Sequence, residues 1–257
     1  MPIDLQTISA LRDKTGAGIG DCKKALEEAG GDINLAVEGL RKKGEIKAAN
    51  KAERSVKEGV IAFTGDSQKC ATIVLVCETD FVSRGEDFQK TASDFASELL
   101  AGGDVEAFKT SADTKVKDLV LKIGENIQLA DVAIFSGARL GRYIHSNKKV
   151  AAIVVLDGGD EVVANEVAMQ AAAMSPKYLK PEDVPAEILD KEKEIYRELL
   201  KKENKPEAIW DKIIDGKLAK FYEENCLLNQ VYIKDDSKKI KDIIGTAQIL
   251  EFKKFQI

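Results

Sequence analysis

The stretch G-V-I-A-F-T-G-D-S-Q-K-C-A-T-I-V-L-V-C, Gly59–Cys77, decides the architecture. G-V-I-A-F has strand character, T-G-D-S-Q-K carries a Gly-Asp turn signal, and A-T-I-V-L-V-C is apolar throughout. A strand without polar alternation is expected to be covered on both faces. Phe88, Ala92, Phe95, Ala96 and Leu99 follow at helical spacing, and Gly102-Gly103 ends that stripe. Further on, G-R-Y-I-H-S-N-K-K-V-A-A-I-V-V-L, Gly141–Leu156, repeats the order of strand, polar turn and apolar strand. A turn over Asp157-Gly158-Gly159-Asp160 leads to Val163, Val167, Ala171 and Met174, a helix closed by Ser175-Pro176. Identity between the two blocks is weak, but the pattern matches turn for turn. It predicts a duplicated hairpin-plus-helix unit and an α+β fold.

The copies differ where the second strand ends. In the first, the chain runs through C-E-T-D-F-V-S-R-G-E-D-F, Cys77–Phe88; in the second, Gly158-Gly159-Asp160-Glu161 takes the place of Thr79-Asp80-Phe81-Val82. Packing common to both copies therefore does not require an Asp-Phe pair. Two readings stand at this point. Phe81 precedes Phe88 by seven residues, so one continuous helix would turn both inward, although Gly85 weakens that helix. Alternatively, Phe81 is offered to something outside.

The flanks complete the organisation. Leu5, Ile8 and Leu11, then Ile19, Cys22, Leu26 and Ala29, then Ile33, Ala36, Val37 and Leu40 give three short apolar stripes. Thr15–Gly20 and Gly30-Gly31 break them, and Asp32 is placed to cap the third. Residues 1–41 thus read as a three-helix docking module with a thin core, and Lys23 and Lys24 lie off its stripe. The charged, alanine-rich segment 42–57 reads as a partly helical linker. Core subdomains are expected over 58–139 and 140–257. Val116, Leu119, Val120 and Ile123 mark a helix ending near Gly124. A helical hairpin is inserted at about 182–225: Ile188, Leu189, Ile195, Tyr196, Leu199 and Leu200 stripe one arm, and Ile209, Trp210, Ile213, Ile214, Leu218 and Phe221 the other. After an extended piece and a short helix with Ile240, Ile243 and Ile244, I-L-E-F-K-K-F-Q-I is expected to complete the second sheet.

Composition narrows the function classes. The 257 residues carry 39 Lys and Arg against 44 Asp and Glu, a net charge of -5, which argues against a nucleic-acid binder held by bulk electrostatics. The four cysteines form no CxxC pair, and one histidine, His145, rules out multi-histidine metal sites. No phosphate-binding loop, nucleophile elbow, signal peptide or membrane-length apolar run is found, so no cofactor and no membrane partner are expected and the compartment is the cytoplasm. One enzymatic alternative is a thiol enzyme pairing Cys22 or Cys226 with His145, for which the sequence offers no oxyanion site. Another alternative is a docking protein whose helical module binds a ubiquitin-like partner.

Particular residues say more. L-R-D-K-T-G-A-G-I-G-D-C-K-K-A-L-E-E-A-G-G-D, Leu11–Asp32, closely resembles the amino-terminal signature of the translation elongation factor Ts family, and E-T-D-F-V, Glu78–Val82, its second signature. K-I-G-E-N-I, Lys122–Ile127, and Y-I-H, Tyr143–His145, resemble further family elements, so the likeness covers nearly the whole chain in order. The resemblance implies a guanine-nucleotide exchange factor that binds elongation factor Tu in its GDP-bound and nucleotide-free states, with no bond-making chemistry and no direct nucleic-acid contact. It implies that an amino-terminal module similar to a ubiquitin-associated domain docks on the GTPase through Arg12 and Lys23. Thr79, Asp80, Phe81 and Val82 would dislodge the partner's Mg²⁺, with Phe81 as a wedge. Ile123 and His145 match further contacts, and Ile233 corresponds to a segment touching the partner's third domain. Family members tend to carry a Gln-Pro-Phe-Val-like segment there; this chain has Gln230-Val231-Tyr232-Ile233, followed by Lys234 where an apolar residue is often found. A homodimer or two-to-two complex is compatible with the helical hairpin.

Overall fold

The computed structural model describes residues 3–257. The chain divides into two compact units. The first spans the chain up to Gly65, then Cys70–Ile134, with Ile257; the second comprises Asp66–Lys69 and Phe135–Gln256.

The first unit opens with helices α1 (Leu5–Thr15), α2 (Ile19–Glu28) and α3 (Ile33–Lys51). Carboxylates start two of them: Asp4 accepts from Thr7 N, and Asp32 accepts from Asn34 N and Leu35 N. Gly16, with φ of 67°, closes α1 in the left-handed conformation. Ile8, Leu11, Cys22, Leu26, Ala36 and Leu40 bury one shared core. Two of the stripes begin later than their spacing predicts, because Leu5 and Ile19 occupy exposed first turns.

Segment 42–57 is helical over its first ten residues, because α3 runs through them to Lys51. Its Ala, Lys and Glu residues are strong helix formers. Tertiary contacts fix the continuation: Gly44 lies against the backbone of Lys117, and Leu121 joins the amino-terminal core. Lys43 and Lys47 both donate to the Asp21 carboxylate, the second at 3.0 Å, and these bonds hold that carboxyl below the usual aspartate range.

The sheet of this unit comprises β1 (Glu58–Gly65), β2 (Lys69–Cys77) and, after the helices α4 (Asp80–Ser83), α5 (Glu86–Gly102) and α6 (Val105–Ile123), strand β3 (Gln128–Ser136). The order is β1-β2-β3, and β1 and β2 pair antiparallel with Val60 opposite Leu75. Every residue of β2 after Lys69 is buried, as its apolar run predicts. Phe88, Ala92, Phe95, Ala96 and Leu99 of α5 fill the space over the sheet, and Phe95 meets Phe108 edge to face at 5.8 Å. Strand β3 went unrecognised in the sequence; it carries Asp131 in mid-strand and only two buried residues.

In the second unit, β4 (Arg139–Ile144), β5 (Val150–Leu156) and helix α7 (Glu161–Met174) repeat the hairpin-plus-helix order. Two helices follow, α8 (Ala186–Lys202) and α9 (Trp210–Asn225), then β6 (Val231–Tyr232), β7 (Asp235–Lys239), α10 (Ile240–Ile243) and β8 (Ile249–Gln256). Strand β8 pairs antiparallel with β5 and gives the sheet order β4-β5-β8, so the terminal strand completes the second sheet. Helix α7 lies directly on β4: a Cβ added to Gly141 would come within 1.9 Å of Ala164 O. The broad stripe read along α8 splits in two. Leu189, Tyr196 and Leu200 pack with Ile214 and Leu218 of α9, whereas Ile195 and Leu199 are exposed. Among the described residues no helix is long and apolar enough to cross a membrane.

Candidate functional site

The site is built where β2 ends. Thr79 has extended backbone and starts the single helical turn of α4, but its hydroxyl does not cap that turn. It donates instead to Glu125 Oε1 at 2.5 Å, while Glu125 Oε2 accepts from Glu78 N and Thr79 N, each at 3.0 Å. One carboxylate from the loop after α6 therefore collects three donors from the start of the turn. A second carboxylate reaches the other way: Glu78 Oε1 accepts from Asn126 N at 2.6 Å and from Arg54 Nη1 at 3.4 Å. The Asn126 bond is the main reason the Glu78 carboxyl sits below the usual glutamate range. Asn126 is buried and donates its amide to Arg54 O at 2.7 Å, just beyond the end of α3. Lys51, the last residue of α3, donates to Gly124 O.

Beyond this clasp the side chains of Asp80–Ser83 take separate directions. Ser83 is buried and bonds back to Asp80 O, and Val82 packs on the core beneath the sheet. Asp80 pairs with Arg84 at 3.2 Å. Phe81 points away and is 87% exposed. The continuous inward helix is thus excluded. Gly85 interrupts it in extended geometry, α5 begins at Glu86, and Phe88 is buried while Phe81 is not.

The other sequence-selected residues divide by unit. Ile123, half-buried at the end of α6, packs on the same core as Val82, two residues before Glu125. Arg12 and Lys23 are exposed on α1 and α2, with Lys23 3.9 Å from Glu27. In the second unit His145 is exposed in the β4–β5 turn, where its backbone N donates to Val150 O at 2.8 Å. Ile233 and Val231 are exposed on either side of buried Tyr232. Gln170, fully buried, accepts from Ile233 N at 3.0 Å and donates to Val231 O at 3.1 Å. Lys234 reaches Glu166 at 3.0 Å, and bonds from Tyr232 and then Lys234 hold the Glu166 carboxyl low.

Cys22 and Cys226 are both completely buried, and burial pushes the Cys226 thiol up to about 11. Among the described residues no group of three or more His, Cys, Asp or Glu side chains could hold a metal ion.

Glu78, Glu125 and Asn126 were not singled out as site residues by the sequence reasoning. Their only signal was membership of the E-T-D-F-V and K-I-G-E-N-I stretches, which lie more than forty residues apart and meet here.

Residues 78–257 match the family model described as Elongation factor TS. The chain is 41% identical over 274 residues to Elongation factor Ts of Hydrogenobaculum sp. strain Y04AAS1, covering 100% of this chain and 99% of that one. It is 40% identical over 261 residues to Elongation factor Ts of Deinococcus deserti, covering 98% and 99%. With Elongation factor Ts of Aquifex aeolicus the identity is 41% over 280 residues, covering 99% and 97%. A match that embraces the Phe81 turn, Glu125, Asn126 and the Phe135–Gln256 part of the second unit, with relatives aligned end to end, leaves one conclusion: the chain belongs to the elongation factor Ts family.

Proposed function

We propose that the chain is a guanine-nucleotide exchange factor for elongation factor Tu, acting in the cytoplasm during translation elongation, and that Phe81 is its wedge. The observation that carries this reading is the 87% exposure of a large aromatic on a turn pinned by three bonds to Glu125. A side chain that gains nothing in the free protein gains about 1.5–3 kcal/mol when a partner buries it.

The partner's Mg²⁺ bridges GDP phosphates and protein oxygens and needs near-ideal octahedral geometry. Burial of Phe81 in an apolar pocket beside the nucleotide shifts those ligands, the ion leaves, and GDP is held less tightly. The factor binds the nucleotide-free state better than the GDP-bound state, and by linkage GDP weakens the factor as the factor weakens GDP. Thr79, Asp80 and Val82 act with Phe81 in dislodging the ion. Asp80 is a contact or orienting group, not an acid and not a Mg²⁺ ligand. Helices α1–α3 serve as a ubiquitin-associated-like docking module, with Arg12 and Lys23 on the contact. Ile123 and His145 add core contacts. Ile233 supplies the apolar contact to the third domain, with Lys234 drawn aside onto Glu166.

The test is release of a fluorescent GDP analogue from elongation factor Tu at fixed Mg²⁺ with substoichiometric factor. Wild type is expected to accelerate release catalytically, and Phe81→Ala to lose roughly tenfold to a hundredfold, the rate equivalent of the burial energy. Equal rates would remove the wedge role while keeping the function. No acceleration by folded wild type would reject the exchange reading.

A further inference from the structure

We propose that Glu125, together with Asn126, is the positioning element of the wedge: a clasp that sets the angle of Phe81 and refers it to the end of α3. This deepens the reading of Phe81 above and rests on it.

A four-residue turn has no stability of its own, because nucleating a helix fixes several dihedrals for one or two bonds. The bonds inside α4 are few: Ser83 N to Thr79 O at 3.3 Å, Arg84 N to Asp80 O at 3.0 Å and Gly85 N to Val82 O at 3.0 Å. What fixes the residue that starts it, Thr79, is external. The Glu125 carboxylate takes two backbone N–H groups and one hydroxyl, a set of charge-assisted bonds aimed at Glu78 and Thr79. Asn126 extends the clasp to a third segment, through its own N–H to Glu78 and its amide to Arg54 O. Glu125 and Asn126 therefore stand between α3 and Phe81 without being the group that enters the partner. A reacting or displacing group must be held to within a fraction of an ångström to keep its effect.

The chemistry of the clasp supplies a rescue variant. In Glu125→Gln, the amide oxygen still accepts from Glu78 N and Thr79 N, and the new NH₂ donates to the Thr79 hydroxyl, which reverses its own direction. In Glu125→Ala all three bonds are lost.

The experiment measures exchange kinetics and native-state amide exchange on wild type, Glu125→Ala, Glu125→Gln, Phe81→Ala and the Glu125→Ala/Phe81→Ala double variant. Glu125→Ala is expected to lower the maximal rate of GDP-analogue release about tenfold, with the half-saturating concentration changed by less than about twofold. Glu125→Gln is expected to recover most of that loss. On the Phe81→Ala background Glu125→Ala adds nothing, because the wedge it positions is gone. Amides of Ser83 and Arg84, which do not bond Glu125, exchange faster in Glu125→Ala, while those of β2 stay protected. Equal losses with and without Phe81, or turn amides as protected as in wild type, would overturn the proposal. If β2 also loses protection, the variant is misfolded and Thr79→Val replaces it. Removing only the hydroxyl bond, it should lose roughly threefold in rate, again only when Phe81 is present; an undiminished rate would overturn the proposal. Should Phe81→Ala itself leave release unchanged, the wedge reading fails, and amide exchange alone decides whether Glu125 holds the turn.

Discussion

Between β2 and α5 the chain takes eight residues, Glu78–Gly85; between β5 and α7, the matching junction of the second copy, it takes four, Asp157–Asp160. The short junction is sufficient to start a helix: Asp160 accepts from Val162 N and Val163 N and caps α7 directly. The long junction adds one helical turn, which seats Val82 against the core and leaves Phe81 in solvent. The helices differ as well. Two residues before the end of the second strand, Leu75 faces Val60 in the first copy and Val154 faces Gly141 in the second. The first copy fills the space between helix and sheet with Phe88 and Phe95; the second lines α7 with Ala164, Ala168, Ala171 and Ala172 and lets the helix backbone descend onto Gly141. One topology thus accepts two packing solutions, and only the aromatic copy carries the exposed turn.

The comparison is sharpest in paired substitutions. Phe88→Ala should be the most damaging, costing about 3–5 kcal/mol by denaturant unfolding, because it opens a cavity under the first helix. Gly141→Ala should follow at about 1–3 kcal/mol, since the added methyl must push the α7 backbone from β4. The matching Val60→Gly would leave a void rather than a clash. Asp160→Ala should cost about 1 kcal/mol through the lost cap and leave GDP-analogue release unchanged.

Acid should act on the long junction through Glu78. Its carboxyl is held below an ordinary glutamate's 4.5, so its contribution is fully present above that value and is lost as pH falls through the lower folded value. The difference in Tm between wild type and Glu78→Gln should therefore narrow between about pH 6 and about pH 3. A difference that widened would mean the carboxylate opposes the fold. Smallest of all, Phe81→Ala should change stability by less than about 0.5 kcal/mol, because an exposed ring has nothing to lose in the free protein. A larger loss would return Phe81 to the ordinary business of packing.

The sequence carried the repeated units because both depend on local signals: apolar strands, a polar turn, then Phe88, Ala92 and Phe95, or Val167 and Ala171, at helical spacing. It also carried the hairpin of α8 and α9, though not which half of the α8 stripe turns inward, since Ile195 and Leu199 are as apolar as Tyr196 and Leu200. Strand β3 was hidden because a half-exposed strand with an aspartate in it has neither clean alternation nor a full apolar run. The exposure of Phe81 was open to argument, with Gly85 the one local sign of a break. The clasp was illegible: Glu125 and Asn126 look like any polar pair after a helix, and their partners are forty-six to seventy-four residues away.

The continuation of α3 to Lys51 has a thermodynamic consequence for recognition. Helices α1–α3, α6 and the Phe81 turn belong to one compact unit, joined through Gly44, Leu121, Gly124 and Asn126. Under the proposed docking, a partner gripped by the helical module would meet Phe81 at a high effective concentration, because the second encounter would be intramolecular and its orientational entropy already lost. A flexible tether of equal length would dilute the aromatic over every position it could reach.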